Sequence, residues 1–262
     1  STAPVDCPVL VLFGHAATLN WAEAGFGDVG LNLTDALWEQ GFYADLAPTS
    51  ELSALRVAES GRIAYGPQEY RAAVLYQPEF ETPDMAEFFY AAAQSGKTAL
   101  FRVGAWQQDF RGKRFEGARA LPPTMRAGDV ETVVQEIVTL LEAAGVERQT
   151  RCTPRGTSSF PQTMTPLASG HLRLLDGTHI LASGEKDVMG DLIQPSLTVS
   201  GVTLEIEAVG IAAFRMDAAG TLEAFAAGGL KTFNTPSLQI ALEQPVDVAL
   251  WRGDDGNWRG VI

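Results

Sequence analysis

Residues 70–104 constrain the fold more than any other part of this chain. Residues 72–76 form a short apolar run, which is typical of a strand buried on both faces. Pro83, followed by acidic residues, predicts the first turn of a helix, and Gly96 predicts its end. A second apolar run occupies residues 98–103. Two parallel strands joined by a helix require a crossover, so this stretch predicts a parallel sheet covered by helices.

The same alternation of strands and helices flanks this stretch. Residues 8–13 predict a first buried strand, residues 31–40 a helix, and residues 42–46 a second strand. Asp129 is expected to cap an amphipathic helix that ends at Gly145. We therefore predict an α/β fold in which the first domain is a doubly wound, flavodoxin-like parallel sheet.

Two segments interrupt this alternation. Residues 49–69 are less regular and predict a small excursion, such as a hairpin arm. Residues 105–123 are polar and contain two glycines, which is typical of an active-site loop or an extra hairpin at the strand ends. Both segments are expected to decorate the sheet rather than to extend it.

The sequence pattern changes at residues 151–166, which are rich in Thr, Ser and Pro and predict a domain boundary. Beyond them, short alternating runs are separated by turn signals such as Asp176-Gly177. This spacing predicts a smaller antiparallel β-sandwich. We expect an α/β domain at residues 1–150, a linker at residues 151–166 and the sandwich at residues 167–262.

The composition disfavours several classes of function. The chain of 262 residues carries a formal net charge of −13, and no cluster of Lys or Arg stands out. Nucleic-acid binding is disfavoured because the neutralisation of phosphates requires a basic surface. No apolar run approaches the length of a membrane span. We expect a cytoplasmic protein that binds neither nucleic acid nor membrane.

The cysteines and the chain ends give two further expectations. Cys7 and Cys152 are far apart in the sequence, and two lone thiols are favoured over a disulfide between them. The sequence lacks an initiator Met and enters a predicted strand within a few residues. We therefore expect the chain to be a portion of a longer protein.

Three titratable side chains lie where an open α/β sheet presents its ligands, outside the carboxyl ends of the strands. His15 follows the first predicted strand, Glu79 follows the third, and Asp109 lies in the loop after the fourth. His15 is a candidate general base, with Glu79 or Asp109 as its acidic partner. A hydrogen-bonded structural role is the favoured interpretation of His15, and solvated loop charges are the favoured interpretation of the two carboxylates.

Four tryptophans are considered as residues on which a sugar ring could stack. Trp21 and Trp106 fall in loops at the same edge of the sheet, where an aromatic ring can stack on the face of a sugar. Trp251 and Trp258 lie in the last predicted β-ribbon, where packing in the core or as a hairpin pair is favoured over a sugar platform. The candidate ligand-binding residues are thus His15, Trp21, Glu79, Trp106 and Asp109.

The chain lacks the motifs of several enzyme classes. It has no G-x-G-x-x-G spacing, no P-loop lysine, no G-x-S-x-G elbow and no metal-ligand spacing of His or Cys. The sharp turn expected after the strand at residues 98–103 contains Gly104, Ala105 and Trp106. We therefore predict no catalytic nucleophile, no cofactor and no metal.

Two parts of the chain resemble a known group of proteins. One is residues 70–106, YRAAVLYQPEFETPDMAEFFYAAAQSGKTALFRVGAW, which resembles the glutamine-amidotransferase-like domain appended to bacterial glycoside hydrolases. That domain is best known as the trimerisation domain of β-galactosidases. The other comprises residues 208–234, AVGIAAFRMDAAGTLEAFAAGGLKTFN, and residues 246–262, VDVALWRGDDGNWRGVI. These resemble the β-sandwich that ends many such multidomain enzymes.

The resemblance implies a non-catalytic role. Amidotransferases carry a Cys at the elbow with His and Glu partners, whereas Gly104, Ala105 and Trp106 occupy that stretch here. The catalytic carboxylates of glycosidases would lie on a separate barrel domain. The chain would then be the C-terminal part of a larger enzyme, and it would pack on the upstream barrel, assemble subunits as a homo-oligomer, or lend a loop to a neighbouring active site.

Two alternatives remain open at this point. One is a stand-alone hydrolase that uses His15 with Glu79 or Asp109. The other is a carbohydrate-binding module that works through Trp21, Trp106 or the ribbon with Trp251 and Trp258.

Overall fold

The structure is a computed structural model that describes residues 3–14, 29–78, 83–104, 121–149, 169–183, 192–193, 196–199, 201–217 and 219–262. The chain divides into two compact units. The first is Cys7–Arg148, and the second combines Ser1–Asp6 with Gln149–Ile262. The proposed linker at residues 151–166 lies outside the described residues and stays a prediction.

The described part of the first unit alternates strands and helices, with a three-stranded insertion in the middle. A short 3₁₀ helix, Thr49–Ala54, precedes that insertion. The elements are β1 (Val9–Phe13), α1 (Leu31–Glu39), β2 (Ala44–Pro48), β3 (Leu55–Val57), β4 (Ile63–Tyr65), β5 (Gln68–Tyr70), β6 (Ala72–Tyr76), α2 (Pro83–Ser95), β7 (Ala99–Val103), β8 (Arg126–Gly128) and α3 (Val130–Ala143).

Five of these strands form one parallel sheet in the order β2-β1-β6-β7-β8. The sequence predicted four of them. It missed β8, because this strand has only three residues, two of them exposed, and contains no apolar run. Strand β2 begins two residues later than expected, because the Phe42 amide still donates to the Leu37 carbonyl at the end of α1.

The two central strands, β1 and β6, are buried on both faces. On one face, Val9, Val11 and Val74 pack with α1 and α3. On the other face, Leu10 and Leu75 pack with α2 and the β3–β5 insertion. All five side chains have no exposed surface, which confirms that the apolar runs are strands covered on both sides.

The excursion expected at residues 49–69 is a three-stranded antiparallel sheet, β3-β4-β5. The hydroxyl of Thr98 ties it to the main sheet, since it accepts from the Ile63 amide and donates to the Tyr70 carbonyl, both at 2.9 Å. The Tyr70 hydroxyl also donates to Asp45 Oδ2 at 2.7 Å. Burial, and then the bond to the Asp45 carboxylate, raises the pKa of Tyr70.

The described part of the second unit is antiparallel, and its sheet holds nine strands. Strand β15 (Leu222–Asn234) has an irregular register around Gly229, which has a φ of 54° and whose missing side chain would come within 2.9 Å of Val209. One half of β15 pairs with β13 (Val202–Val209) and the other with β14 (Ile211–Met216), so the sheet folds over its own core in a sandwich-like form. The strands are β9 (Ser169–Arg173), β10 (Thr178–Ser183), β11 (Leu192–Ile193), β12 (Ser196–Val199), β13 (Val202–Val209), β14 (Ile211–Met216), β15 (Leu222–Asn234), β16 (Gln239–Arg252) and β17 (Trp258–Val261).

The sequence suggested two separate runs where the structure has the single long strand β16. Proline at position 245 interrupts the apolar alternation. The register of β16 against β15 shifts around it, from Leu230 opposite Val246 to Thr232 opposite Ala241. A proline has no amide hydrogen to donate, so it is tolerated at such an irregularity in the ladder.

The N-terminal segment is part of the second unit. Val5 forms a bridge with Leu174, and the Asp6 amide donates to the Arg173 carbonyl at 2.8 Å. The Gln149 side chain accepts from the Arg173 amide at 2.7 Å and donates to the Asp6 carbonyl at 3.2 Å. Cys7, the first residue of the other unit, is a buried thiol, whereas Cys152 lies outside the described residues.

A pair of buried histidines lies in the second unit. Nε2 of His171 and Nδ1 of His179 are 2.8 Å apart, and the His179 ring stacks on Phe214 with centroids separated by 4.9 Å. Burial, the neighbouring His171 and the positive charge of Arg173 lower the pKa of His179 from 6.5 to about 4. His179 is therefore neutral in the folded protein near neutral pH.

This lowered pKa predicts acid destabilisation. Between pH 6.5 and about 4, the unfolded chain binds a proton at His179 that the folded chain does not, so stability is full above that range and falls as the pH is lowered through it. The loss is at most about 3 kcal/mol. Urea unfolding at about pH 7 and about pH 4.5 measures it. The variant His179→Phe, which keeps a ring on Phe214, is expected to lose less stability on acidification; an equal loss in both proteins would contradict the assignment.

Candidate functional site

The parallel sheet has one place where a crevice is expected. The chain leaves β1 towards β2 on one side and leaves β6 towards β7 on the other, so the connections diverge between β1 and β6. In open α/β sheets, ligands bind outside the carboxyl ends of the strands at such a point. Gly14 follows β1 there, and Gln77 follows β6.

Backbone hydrogen bonds continue the sheet by one residue at this edge. The Gly14 amide donates to the Tyr76 carbonyl at 2.9 Å, and the Gln77 amide donates to the Val103 carbonyl at 2.8 Å. The guanidinium of Arg102 donates to the Gly104 carbonyl. The three strand ends are therefore held level with one another.

The tightest turn at this edge follows β6. Gln77 has a left-handed φ of 47°, and it is the only residue other than glycine with a positive φ among the described residues. Gly104 packs beside it with a φ of 88°, and a side chain at Gly104 would come within 3.2 Å of the Gln77 Cα. Left-handed backbone in a residue that carries a side chain is costly and is often found at functional sites.

The sequence predicts the sharp turn one strand away, at residues 103–106. The structure shows a left-handed residue there, Gly104, and a second one at Gln77. No sequence signal identifies Gln77, because left-handed positions are recognised from glycine or asparagine. The exposed side chain at this turn is an amide, which donates and accepts hydrogen bonds but does not serve as a nucleophile or a general base.

The five candidate residues of the sequence analysis lie outside the described residues, so the structure neither groups nor separates them. They are His15, Trp21, Glu79, Trp106 and Asp109. In the described part of the chain, no three His, Cys, Asp or Glu side chains are grouped as a metal site requires. None of the described helices is long and apolar enough to cross a membrane.

The tryptophans of the last ribbon lie on opposite faces of the sheet. Trp258 pairs with Arg252, is partly buried, and packs against the core of the second unit as expected. Trp251 pairs with Arg259, and 46% of its surface is exposed. The favoured interpretation, core packing or a hairpin pair with Trp258, was therefore wrong for Trp251, because strand alternation turns the two tryptophans to opposite sides.

The close approach at the edge of the sheet gives a testable prediction. Gly104→Ala is expected to lower the free energy of unfolding by more than about 1 kcal/mol, because it adds both a strained φ and a contact with Gln77. Gly96→Ala is a matched control, since Gly96 has a φ of 63° with no atom close enough to clash. Gln77→Gly is expected to stay within about 0.5 kcal/mol, because the relief of strain offsets the added chain entropy.

Chemical denaturation of the three variants measures these differences. A loss for Gly96→Ala as large as that for Gly104→Ala would show that the packing against Gln77 contributes nothing.

Comparison with known proteins identifies no family. No family model and no curated protein matches the chain. One solved structure that matches is an apo exo-carrageenase GH42 from Bacteroides ovatus, with 12% sequence identity and a TM-score of 0.41. The match covers 97% of this chain and 28% of that protein. At this level of similarity it establishes neither a family nor an activity for the chain.

Proposed function

We propose that this chain is a non-catalytic accessory region of a carbohydrate-active enzyme. Its first unit would be a flavodoxin-like, glutamine-amidotransferase-like domain, and its second unit a β-sandwich of the kind that ends multidomain glycoside hydrolases. The resemblance of residues 70–106, 208–234 and 246–262 supports the class of enzyme.

The strand order supports the flavodoxin-like assignment of the first unit. Numbered only among themselves along the chain, the parallel strands lie in the order 2-1-3-4-5. This is the order of flavodoxin-like sheets, which bind their ligands between the first and third strands. Helices cover both faces, as a doubly wound sheet requires.

One observation carries the non-catalytic part of the proposal. At the strained turn between the carboxyl ends of the strands, the exposed side chain is the neutral amide of Gln77. Nucleophilic catalysis needs a thiol, hydroxyl or similar group at such a position, activated by a neighbouring base. A neutral amide at this turn supports a role in binding rather than in nucleophilic catalysis.

The partners follow from this role. The upstream catalytic barrel of the same enzyme and further subunits of that enzyme are the proposed contacts, and homo-oligomerisation is one way in which an accessory domain would serve it. Carbohydrate is the proposed ligand class for the whole enzyme.

The purified chain is expected to hydrolyse neither aryl glycosides nor glutamine, because the described exposed residue at the strained turn, Gln77, carries an amide and not a nucleophile. Steady-state assays with nitrophenyl glycosides and with glutamine measure this, and an authentic β-galactosidase and a glutaminase serve as positive controls. The alternative function, a stand-alone hydrolase that uses His15 with Glu79 or Asp109, predicts the opposite result. Turnover that purifies with the chain and is abolished by His15→Ala or Glu79→Gln would refute the non-catalytic role.

A further inference from the structure

A trough of about 310 Å³ lies on the outer face of the sheet in the second unit. Its lining residues come from β10, β14, β15 and β16 and from the turn before β10. Binding sites for small ligands range from about 300 to 1,000 Å³ and combine apolar walls with a few polar groups. The trough meets the lower end of that range.

Strand register places the important side chains of the trough in one row. Thr178 lies opposite Arg215, Arg215 opposite Ala224, and Ala224 opposite Trp251. Neighbouring strands are about 4.8 Å apart, so the backbones of Arg215 and Trp251 are separated by about 10 Å. Only the methyl group of Ala224 stands between them, which leaves an open gap with a guanidinium on one side and an indole on the other.

The neighbouring row of side chains consists of alanines, which form the floor of the trough. Ala213 lies opposite Ala226, and Ala226 lies opposite Ala249. These three positions are two residues along the strands from the first row, so they share its face. The larger side chains between them, Phe214 and Phe225, belong to the core on the other face.

Trp251 gives the trough an aromatic wall. Its side chain is 46% exposed and stands outside the core cluster of the second unit. An indole combines a broad apolar face with a hydrogen-bond donor, which suits ligands that are apolar on one side and polar at the edge. The ring of a sugar has this character, with C–H groups on its face and hydroxyls around its rim.

Arg215 gives the trough a planar polar group held in place. Its Nε donates to Glu223 Oε2 at 2.9 Å, and both side chains are about half exposed. Among the described residues this is the only hydrogen bond of the guanidinium, so its terminal nitrogens are available to a ligand. Asp176 lies in the same lining, where its Oδ1 accepts from the Thr178 amide at 3.0 Å. The terminal nitrogens of a guanidinium bind two adjacent oxygens or hydroxyls, which is the pattern that a sugar presents.

We propose that this trough is an oligosaccharide-binding site in which a sugar ring stacks on Trp251 and its hydroxyls bond to Arg215. The choice of ligand class rests on the proposed function. The site itself rests on the cavity, the exposed indole and the Arg215–Glu223 hydrogen bond. A docked protein is the less suitable occupant, because a stable protein interface needs about 800 Å² on each partner and the trough is small.

Isothermal titration of the full chain against galactotetraose, cellotetraose, xylotetraose and maltotetraose tests the site. At least one of them is expected to bind, and Trp251→Ala is expected to weaken that binding by about tenfold or more. Arg215→Gln is expected to weaken it several-fold. Sulfated and carboxylated tetrasaccharides are tested in parallel, because tighter, salt-sensitive binding of these would assign the guanidinium to an acidic group on the sugar.

Tyr90→Ala is the matched control, since Tyr90 is a 39% exposed aromatic residue on α2 of the other unit. It is expected to leave binding unchanged, and circular dichroism checks that each variant is folded. Binding of no oligosaccharide, or binding that survives Trp251→Ala, would overturn the inference. So would a Trp251→Ala effect on sedimentation without any effect on sugar binding, which would identify a protein interface.

These outcomes are separate from those that test the proposed function. If the trough binds no sugar, the predicted lack of glycosidase and glutaminase turnover still stands, because that prediction rests on the first unit. Conversely, turnover by the chain would refute the accessory role even if Trp251 binds sugar.

Discussion

The burial of β1 and β6 on both faces is the constraint on which the first unit depends. Every residue of these strands from Val9 to Leu12 and from Ala72 to Leu75 lacks exposed surface, so each alternates into one of two separate cores. A shift of register by one residue would exchange the two sets of side chains. The free-energy cost of such a shift fixes the register of the strands. It thereby also fixes the positions at which Gly14, Gln77 and Gly104 leave the sheet.

The second unit uses the same alternation for a different purpose. Adjacent positions on β14 and β16 serve opposite faces: Phe214 and Leu250 pack against the core, whereas Arg215 and Trp251 line the outer trough. The stacking of His179 on Phe214 therefore lies directly behind the proposed ligand site. Core packing and ligand presentation are thus coupled through the backbone of the same strands.

Local sequence signals account for most of the fold and for less of the site. The apolar run at residues 72–76 and the cap at Asp129 were predictable, because each depends on neighbouring residues alone. Strand β8 was not, since pairing with β7 rather than its own composition makes it a strand. Likewise, the left-handed Gln77 and the row from Thr178 to Trp251 arise from tertiary register, which no short motif encodes.

The two units differ in the functional groups that their described residues expose. At the strand ends of the parallel sheet, the described backbone is hydrogen-bonded between neighbouring strands, and the exposed side chain at the strained turn is an amide. On the antiparallel sheet, the backbone is regular and the side chains supply an indole, a guanidinium and carboxylates around a small trough. Recognition of a flat, hydroxylated ligand needs an aromatic face and polar groups such as those on the antiparallel sheet, and it needs no reactive side chain. The proposed accessory role therefore depends on two separate features, the amide at the described turn of the first unit and the indole–guanidinium trough of the second.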